Sequence, residues 1–168
     1  MFSKVFVSGH GGMLGSAIVK KITETGAAEE IVTKSRKEVD LSNQAQTFEF
    51  LADTKPSHVV IAAAKVGGIH ASITYPADFI YDNVIIASNL LKGSLEAGVK
   101  NVLFIGSSCI YPRDAAQPMA ESALLSGYPE PTNEPYALAK IVGIKMCESF
   151  NRQYGVDYRS VQPSNLYG

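Results

Sequence analysis

Tyr136 and Lys140 are the two residues of this chain whose types and spacing point most directly to chemistry, framing the run Tyr136-Ala137-Leu138-Ala139-Lys140. Positions four apart share one face of a helix, so a phenol and an ammonium can meet beside one ligand. A neighbouring cation favours phenolate and lowers a tyrosine pKa from its usual value of about 10. A phenol tuned in that way can pass a proton to or from a carbonyl or alcohol oxygen. Upstream lies a glycine-rich run, Gly9-His10-Gly11-Gly12-Met13-Leu14-Gly15, suited to a dinucleotide that exchanges the hydride. The two features together indicate oxidoreductase chemistry on a carbonyl.

The elements that must position these groups follow from the pattern around them. Lys4 to Ser8 predicts a short buried strand, and Met13 to Thr25 a helix ended by Gly26. Glu30 to Lys34 reads as a second strand and Gln44 to Asp53 as a short helix before Pro56. His58 to Ala63 is a third strand, apolar enough for burial on both faces. Pro76 opens a helix in which Ile80, Val84, Ala87, Leu91 and Leu95 recur at helical spacing up to Gly98. Phe79, Ile86 and Leu90 give it a second apolar face, so it is either sandwiched in a core or part of a subunit interface. Asn101 to Gly106 is a fourth strand, Pro135 to Tyr154 a helix and Tyr158 to Gln162 a fifth strand. Strands alternating with helices predict β-α-β units, hence an α/β fold with a doubly wound parallel sheet. The proline-rich segment from Tyr111 to Glu134 breaks that rhythm and reads as a functional loop over the ligand.

Gly9, Gly12 and Gly15 sit between a strand and a helix, the context in which a glycine triplet signals phosphate binding. The first glycine allows a tight turn, the second lets the backbone approach a pyrophosphate, and the third lets the helix pack closely on the sheet. The phosphates then meet free N–H groups at the helix N-terminus. About 20 residues beyond such a loop, an acidic side chain favours NAD and a basic one NADP. Here the second strand ends in Lys34-Ser35-Arg36-Lys37, and Arg36 can fork onto a 2′-phosphate. NADP(H) is therefore the expected cofactor; the bland alternative is a solvated basic turn.

The rest of the composition excludes more than it suggests. A chain of 168 residues fits one domain with a real core. A net charge of -1 with scattered lysines and arginines gives no electrostatic reason to expect nucleic acid or an anionic membrane as partner. Cys109 and Cys147 make neither a disulfide framework nor, with His10, His58 or His70, a metal-ligand spacing. Without a signal-like segment or an apolar run long enough for a bilayer, a reduced, cytoplasmic protein is expected.

Ser107-Ser108-Cys109 lies just past the fourth strand, at the end of an open parallel sheet where ligands gather. Ser107 can hydrogen-bond a substrate oxygen alongside Tyr136, or its hydroxyl can merely tie down a turn. Read alone, Cys109 and Cys147 are small buried hydrophobes. The order of glycine loop, strand-end serine and Tyr-x-x-x-Lys resembles the extended short-chain dehydrogenase/reductase superfamily. More narrowly, Ala62-Ala63-Ala64-Lys65-Val66-Gly67-Gly68-Ile69, Gly106-Ser107-Ser108-Cys109-Ile110-Tyr111-Pro112 and Asn133-Glu134-Pro135-Tyr136-Ala137 resemble the GDP-L-fucose synthase family. Tyr75-Pro76-Ala77-Asp78-Phe79-Ile80 and Pro163-Ser164-Asn165-Leu166-Tyr167-Gly168 fit it too.

That resemblance implies a Rossmann-type NADP-binding domain over 1–168 and NADPH-dependent 3,5-epimerisation and 4-reduction of GDP-4-keto-6-deoxy-D-mannose. It implies Cys109 as the epimerisation base, Tyr136 as the proton donor, Lys140 as the group that lowers the Tyr136 pKa and holds the nicotinamide ribose, and Ser107 as the residue positioning the C4 oxygen. It further implies a cofactor site made of Gly9, His10, Gly11, Gly12, Met13, Leu14, Gly15, Arg36, Asp40, Leu41, Ala62, Ala63, Ala64, Ile105, Gly106, Ser107, Ser108, Tyr136, Lys140, Pro163, Ser164, Asn165 and Leu166. A GDP-sugar substrate and a homodimer are the implied partners. Gly11 stands where the family often carries an arginine that helps hold the NADP phosphate, which leaves Arg36 more of that task. The family also continues past Gly168 into a substrate domain that supplies a catalytic histidine, so little or no turnover is expected of the 168 residues alone. Another nucleotide-sugar epimerase or dehydratase of the superfamily, or a non-catalytic dinucleotide-binding module, are the competing readings.

Overall fold

Apolar side chains on alternate sides of the strands decide how the layers stack. Five parallel strands, β1 (Phe2–Ser8), β2 (Ala28–Val32), β3 (His58–Ile61), β4 (Asn101–Ile105) and β5 (Asp157–Val161), form one sheet in the order β2-β1-β3-β4-β5. They alternate with helices α1 (Met13–Thr25), α2 (Gln44–Thr54), α3 (Ile69–Thr74), α4 (Pro76–Glu96) and α5 (Glu134–Tyr154). The computed structural model describes residues 1–167. On one face Phe6, Val59, Ile61, Val102, Phe104 and Tyr158 pack with Leu51, Leu90, Leu91 and Ile144 from the helices. On the other, Val5, Val7 and Val60 meet Ile18, Val19 and Ile22 of α1. The doubly wound Rossmann-type α/β architecture expected from the pattern is thus present.

The chain leaves β1 toward β2 on one side and returns to β3 on the other, so the strand order reverses beside β1. A crevice opens at the carboxyl ends of the strands at such a reversal. The β3 strand stops at Ile61, two residues short of the expected end, because Ala62 and Ala63 turn across the glycine loop. The β2 strand spans Ala28–Val32 rather than 30–34, since its register against Phe2 to Phe6 of β1 is set by pairing and not by its own half-exposed side chains.

The two-faced helix α4 is sandwiched: it packs against α2, α5 and β3, with Phe79, Ala87, Leu90 and Leu91 buried. The expected loop from Tyr111 to Glu134 holds single 3-10 turns at Glu121–Ala123 and Pro131–Asn133. The short α3 helix was not foreseen; six residues carry too little periodicity to announce themselves. At the sheet edge, the Asn151 amide donates to the Tyr158 carbonyl at 2.8 Å and accepts from its N–H at 2.8 Å, tying α5 to β5.

Candidate active site

A cleft of about 1010 Å³ opens over the reversal point, walled by the glycine loop, the ends of β2 and β3, the start of α5 and the segment after β5. Gly9 has φ +72°, and a Cβ on it would stand 2.6 Å from the Ala63 nitrogen. A Cβ on Gly15 would collide with the Gly9 carbonyl oxygen and stand 2.9 Å from Cα of His10. These two glycines therefore let loop, helix and β3 crossing nest together. Gly12 N–H closes the turn onto the Gly9 carbonyl at 3.0 Å. The α1 helix starts at this turn with no side-chain cap and no acidic residue in its first turn. Its N–H groups and positive dipole end thus face the cleft without a competing anion. The Nδ1 atom of His10 is buried without a partner beside them. A dinucleotide pyrophosphate fits this donor set.

Lys34, Ser35 and Arg36 line the far end of the cleft. Glu38 engages the first two: it accepts from Lys34 Nζ at 3.1 Å, from the Ser35 N–H at 2.9 Å and from Ser35 Oγ at 2.7 Å. Those bonds, the Ser35 backbone first, draw the Glu38 carboxyl down to about 2. Arg36 is left 83% exposed with one long approach of 3.9 Å to Asp40. It is the cation free to turn toward a phosphate.

Tyr136, Lys140 and Asn133 line the opposite end with Ile105 and Gly106. The spacing on α5 does bring phenol and amine to one side: Lys140 Nζ lies 5.6 Å from the centre of the Tyr136 ring. The amine is 4% exposed, donates to the Ile105 carbonyl at 2.7 Å and rests 5.0 Å from the Phe104 ring centre. Burial brings its pKa down to about 8. Burial also pushes the Tyr136 phenol up to about 12, with the Cys109 charge adding in the same direction. This corrects the expectation that Lys140 acidifies Tyr136. Both groups lose water on the same wall, and the amine spends its charge on a backbone carbonyl rather than on the phenol.

Ser107 and Cys109 follow the end of β4, and Cys109 lies close enough to Lys140 and Asn133 to interact with both. The Cys109 N–H donates to Ser107 Oγ at 3.4 Å, so this hydroxyl does hold a turn. The Ser108 N–H donates to the Pro163 carbonyl at 3.0 Å and docks the segment Pro163 to Leu166 along the cleft. Burial raises the Cys109 thiol; Ser107, the Lys140 charge and Asn133 pull it back only in part. Cys147 is 2% exposed in the core, as expected. Every other residue of the implied cofactor set lines the cleft: Gly9 to Gly15, Arg36, Asp40, Leu41, Ala62, Ala63, Ala64, Ile105, Gly106, Tyr136, Lys140 and Pro163 to Leu166.

The sequence matches the profile of the NAD dependent epimerase/dehydratase family over residues 5–168. The chain belongs to that family. Within this family it is a homologue of GDP-L-fucose synthases: it is 56% identical over 165 residues to the GDP-L-fucose synthase of Escherichia coli (strain K12), covering 98% of this chain and 51% of that protein. Among solved structures it is similar to MlghC, a GDP-mannoheptose C4 reductase from Campylobacter jejuni with NADP bound, at 37% identity and TM-score 0.95 over 99% of this chain and 52% of that one. It is also similar to a GDP-L-fucose synthetase from Naegleria fowleri bound to NADP, at 27% identity and TM-score 0.90 over 99% of this chain and 51% of that one. The chain spans about half the length of the curated relatives it matches. Among the described residues, no helix of this family member is long and apolar enough to cross a membrane.

Some site residues were not legible in the sequence. Asn83 is 4% exposed; its Oδ1 accepts from the Lys65 N–H at 2.7 Å and its Nδ2 donates to the Lys65 carbonyl at 3.0 Å. It pins the β3 crossing that faces the glycine loop. Lys65 lines the cleft and is held by Asp82 at 2.8 Å and Asp78 at 3.1 Å. Asn133 joins the wall next to Cys109. The signal that could have found Asn83 is a polar amide inside an otherwise apolar helical stripe, which is costly unless bonded.

Proposed function

We propose that this chain is the cofactor-binding and proton-transfer part of an NADPH-dependent enzyme that inverts C3 and C5 of GDP-4-keto-6-deoxy-D-mannose and reduces C4, giving GDP-L-fucose. The observation that carries the proposal is that Tyr136 and Lys140 stand on the wall of the same cleft as the glycine loop. When bound, the reduced dinucleotide supplies the hydride. The glycine loop and the α1 N-terminus hold its pyrophosphate, and Arg36 takes the 2′-phosphate. Tyr136, kept protonated by its raised pKa, gives its phenolic proton to the oxygen that forms at C4. Ser107 orients that oxygen, and Lys140 holds the ribose beside Tyr136. Cys109 takes a proton from C3 and from C5, and the catalytic histidine implied for the rest of the full-length protein returns one to the opposite face of each carbon; Lys140, Ser107 and Asn133 ease the ionisation of the thiol against its burial.

The test uses the full-length protein with NADPH and the 4-keto sugar nucleotide. Tyr136→Phe abolishes turnover and leaves NADPH titration unchanged; a fully active variant sinks the proposal. The upward push of burial on the Cys109 thiol favours a second reading, reduction without epimerisation. Deuterium from solvent entering C3 and C5 supports the first reading, and its absence the second. Homodimeric assembly belongs to the same proposal: α4 and α5 expose Tyr81, Leu138 and Val142, and light scattering that found only monomer would remove it.

A further inference from the structure

Asn89 is 4% exposed in the middle of α4, and its amide crosses to another element. Nδ2 donates to the Leu41 carbonyl at 3.0 Å and to the Ser42 carbonyl at 3.2 Å. Thr47 Oγ1 adds a third bond, to Leu41 at 3.3 Å. The turn after β2 is thereby fixed to the helical layer. Ser42 in turn donates twice to one carboxylate oxygen of Asp40, from its N–H at 3.0 Å and from Oγ at 2.6 Å. Asp40 also reaches Arg36 at 3.9 Å.

This chain of contacts solves an electrostatic conflict. An acidic side chain near the end of the second strand repels a 2′-phosphate, and in NAD sites it binds the ribose hydroxyl instead. Asp40 and Arg36 line the same end of the cleft, so the two charges oppose each other there. A carboxylate that accepts two hydrogen bonds from one residue has little reason to leave them. The bonds from Ser42 are the main cause of the Asp40 carboxyl's lying below its ordinary range.

We propose that Asn89 and Ser42 are positioning residues for cofactor choice: they hold the Asp40 carboxylate on the Ser42 N–H and hydroxyl, so that Arg36 governs the field met by a 2′-phosphate. The proposal rests on the reading that this cleft takes NADPH with Arg36 on the phosphate.

The test is a titration of the full-length protein with NADPH and with NADH, read as the ratio of dissociation constants. Asn89→Leu and Ser42→Ala each reduce the preference for NADPH on the order of tenfold, the loss expected for one charge-assisted contact, and leave NADH binding in place. Equal weakening of both cofactors, the signature of a merely structural asparagine, overturns the proposal. Ser42→Ala is also measured in an Asp40→Asn background. It has no effect there if Ser42 acts through the carboxylate; the same loss in both backgrounds means direct contact and overturns the proposal. Should Asn89→Leu not fold, the Ser42→Ala cycle decides alone. If the unaltered protein shows no NADPH preference, or Arg36→Ala leaves it intact, the cofactor reading itself falls and this inference with it. A preserved preference in Asn89→Leu and Ser42→Ala, lost only in Arg36→Ala, defeats this inference and spares the reading.

Discussion

Gly143→Ala tests why the α5 helix can deliver Lys140 to the cleft at all. Gly143 is buried in the interior of α5, three residues after Lys140 on the face that meets β4. In an exposed helix, replacing an interior glycine with alanine stabilises by about 1 kcal/mol. Here the added Cβ would collide with Cζ of Phe104 and stand 2.7 Å from Cε1, against an ordinary carbon–carbon contact of about 3.5–4.0 Å. Phe104 is 1% exposed and forms the floor under the Lys140 amine, so its ring has no free space to enter. Overpacking of this kind costs up to about 3 kcal/mol. Subtracting the helix-propensity gain leaves a net loss of about 2 kcal/mol. Urea unfolding of parent and variant reads this directly as a lower midpoint. Adding Phe104→Leu should restore part of the loss, because the smaller side chain vacates the collision. A stabilised Gly143→Ala variant would refute the claim that close helix–sheet approach, rather than helix propensity, decides this position.

Two further outcomes follow from buried titrating groups. The Lys140 amine, about 8 folded against 10.5 unfolded, binds fewer protons in the native state across that window, so its contribution to stability rises with pH from about 8 to 10.5. Cys109, Cys147 and Tyr136, all raised by burial, act in the opposite sense, so the measured quantity is the unfolding free energy of the parent minus that of Lys140→Met. That difference should climb by about 3 kcal/mol in total, and a flat difference would remove the buried-ammonium account. Alkylation of Cys109 by iodoacetamide in the cofactor-free protein should be slow at neutral pH and accelerate above the ordinary thiol range, because burial favours the neutral thiol. Rapid modification near neutrality would show that Lys140 and Asn133 already outweigh that burial.

Much of the fold was legible because it is local. The Met13–Thr25 helix, the Pro76 start of α4 and the alternation of strand and helix are periodic signals, and each appears in the structure within a residue or two. The glycine loop and the Tyr136–Lys140 pair were legible for the same reason: short spacings translate into geometry through one helical turn or one tight turn. The misplacement of β2 shows the limit of that logic. Its residues Ala28 to Val32 are half exposed, and their register is a property of β1.

The side-chain types themselves settled which chemistry was available: a phenol and an amine one turn apart, a thiol and hydroxyls at a strand end, and an arginine about 20 residues beyond a phosphate loop. Tertiary structure alone decided their state. Whether Lys140 acidifies Tyr136 depends on how much water each loses and on which acceptor the amine finds, and the nearest acceptor proved to be the Ile105 carbonyl at 2.7 Å, 35 residues away in sequence. The roles of Asn83 and Asn89 are equally non-local, for each meets backbone from another element, at Lys65 and at Leu41 and Ser42. Spacing along a chain encodes which groups can share a helix face, whereas burial and long-range hydrogen bonds exist only once the layers have packed.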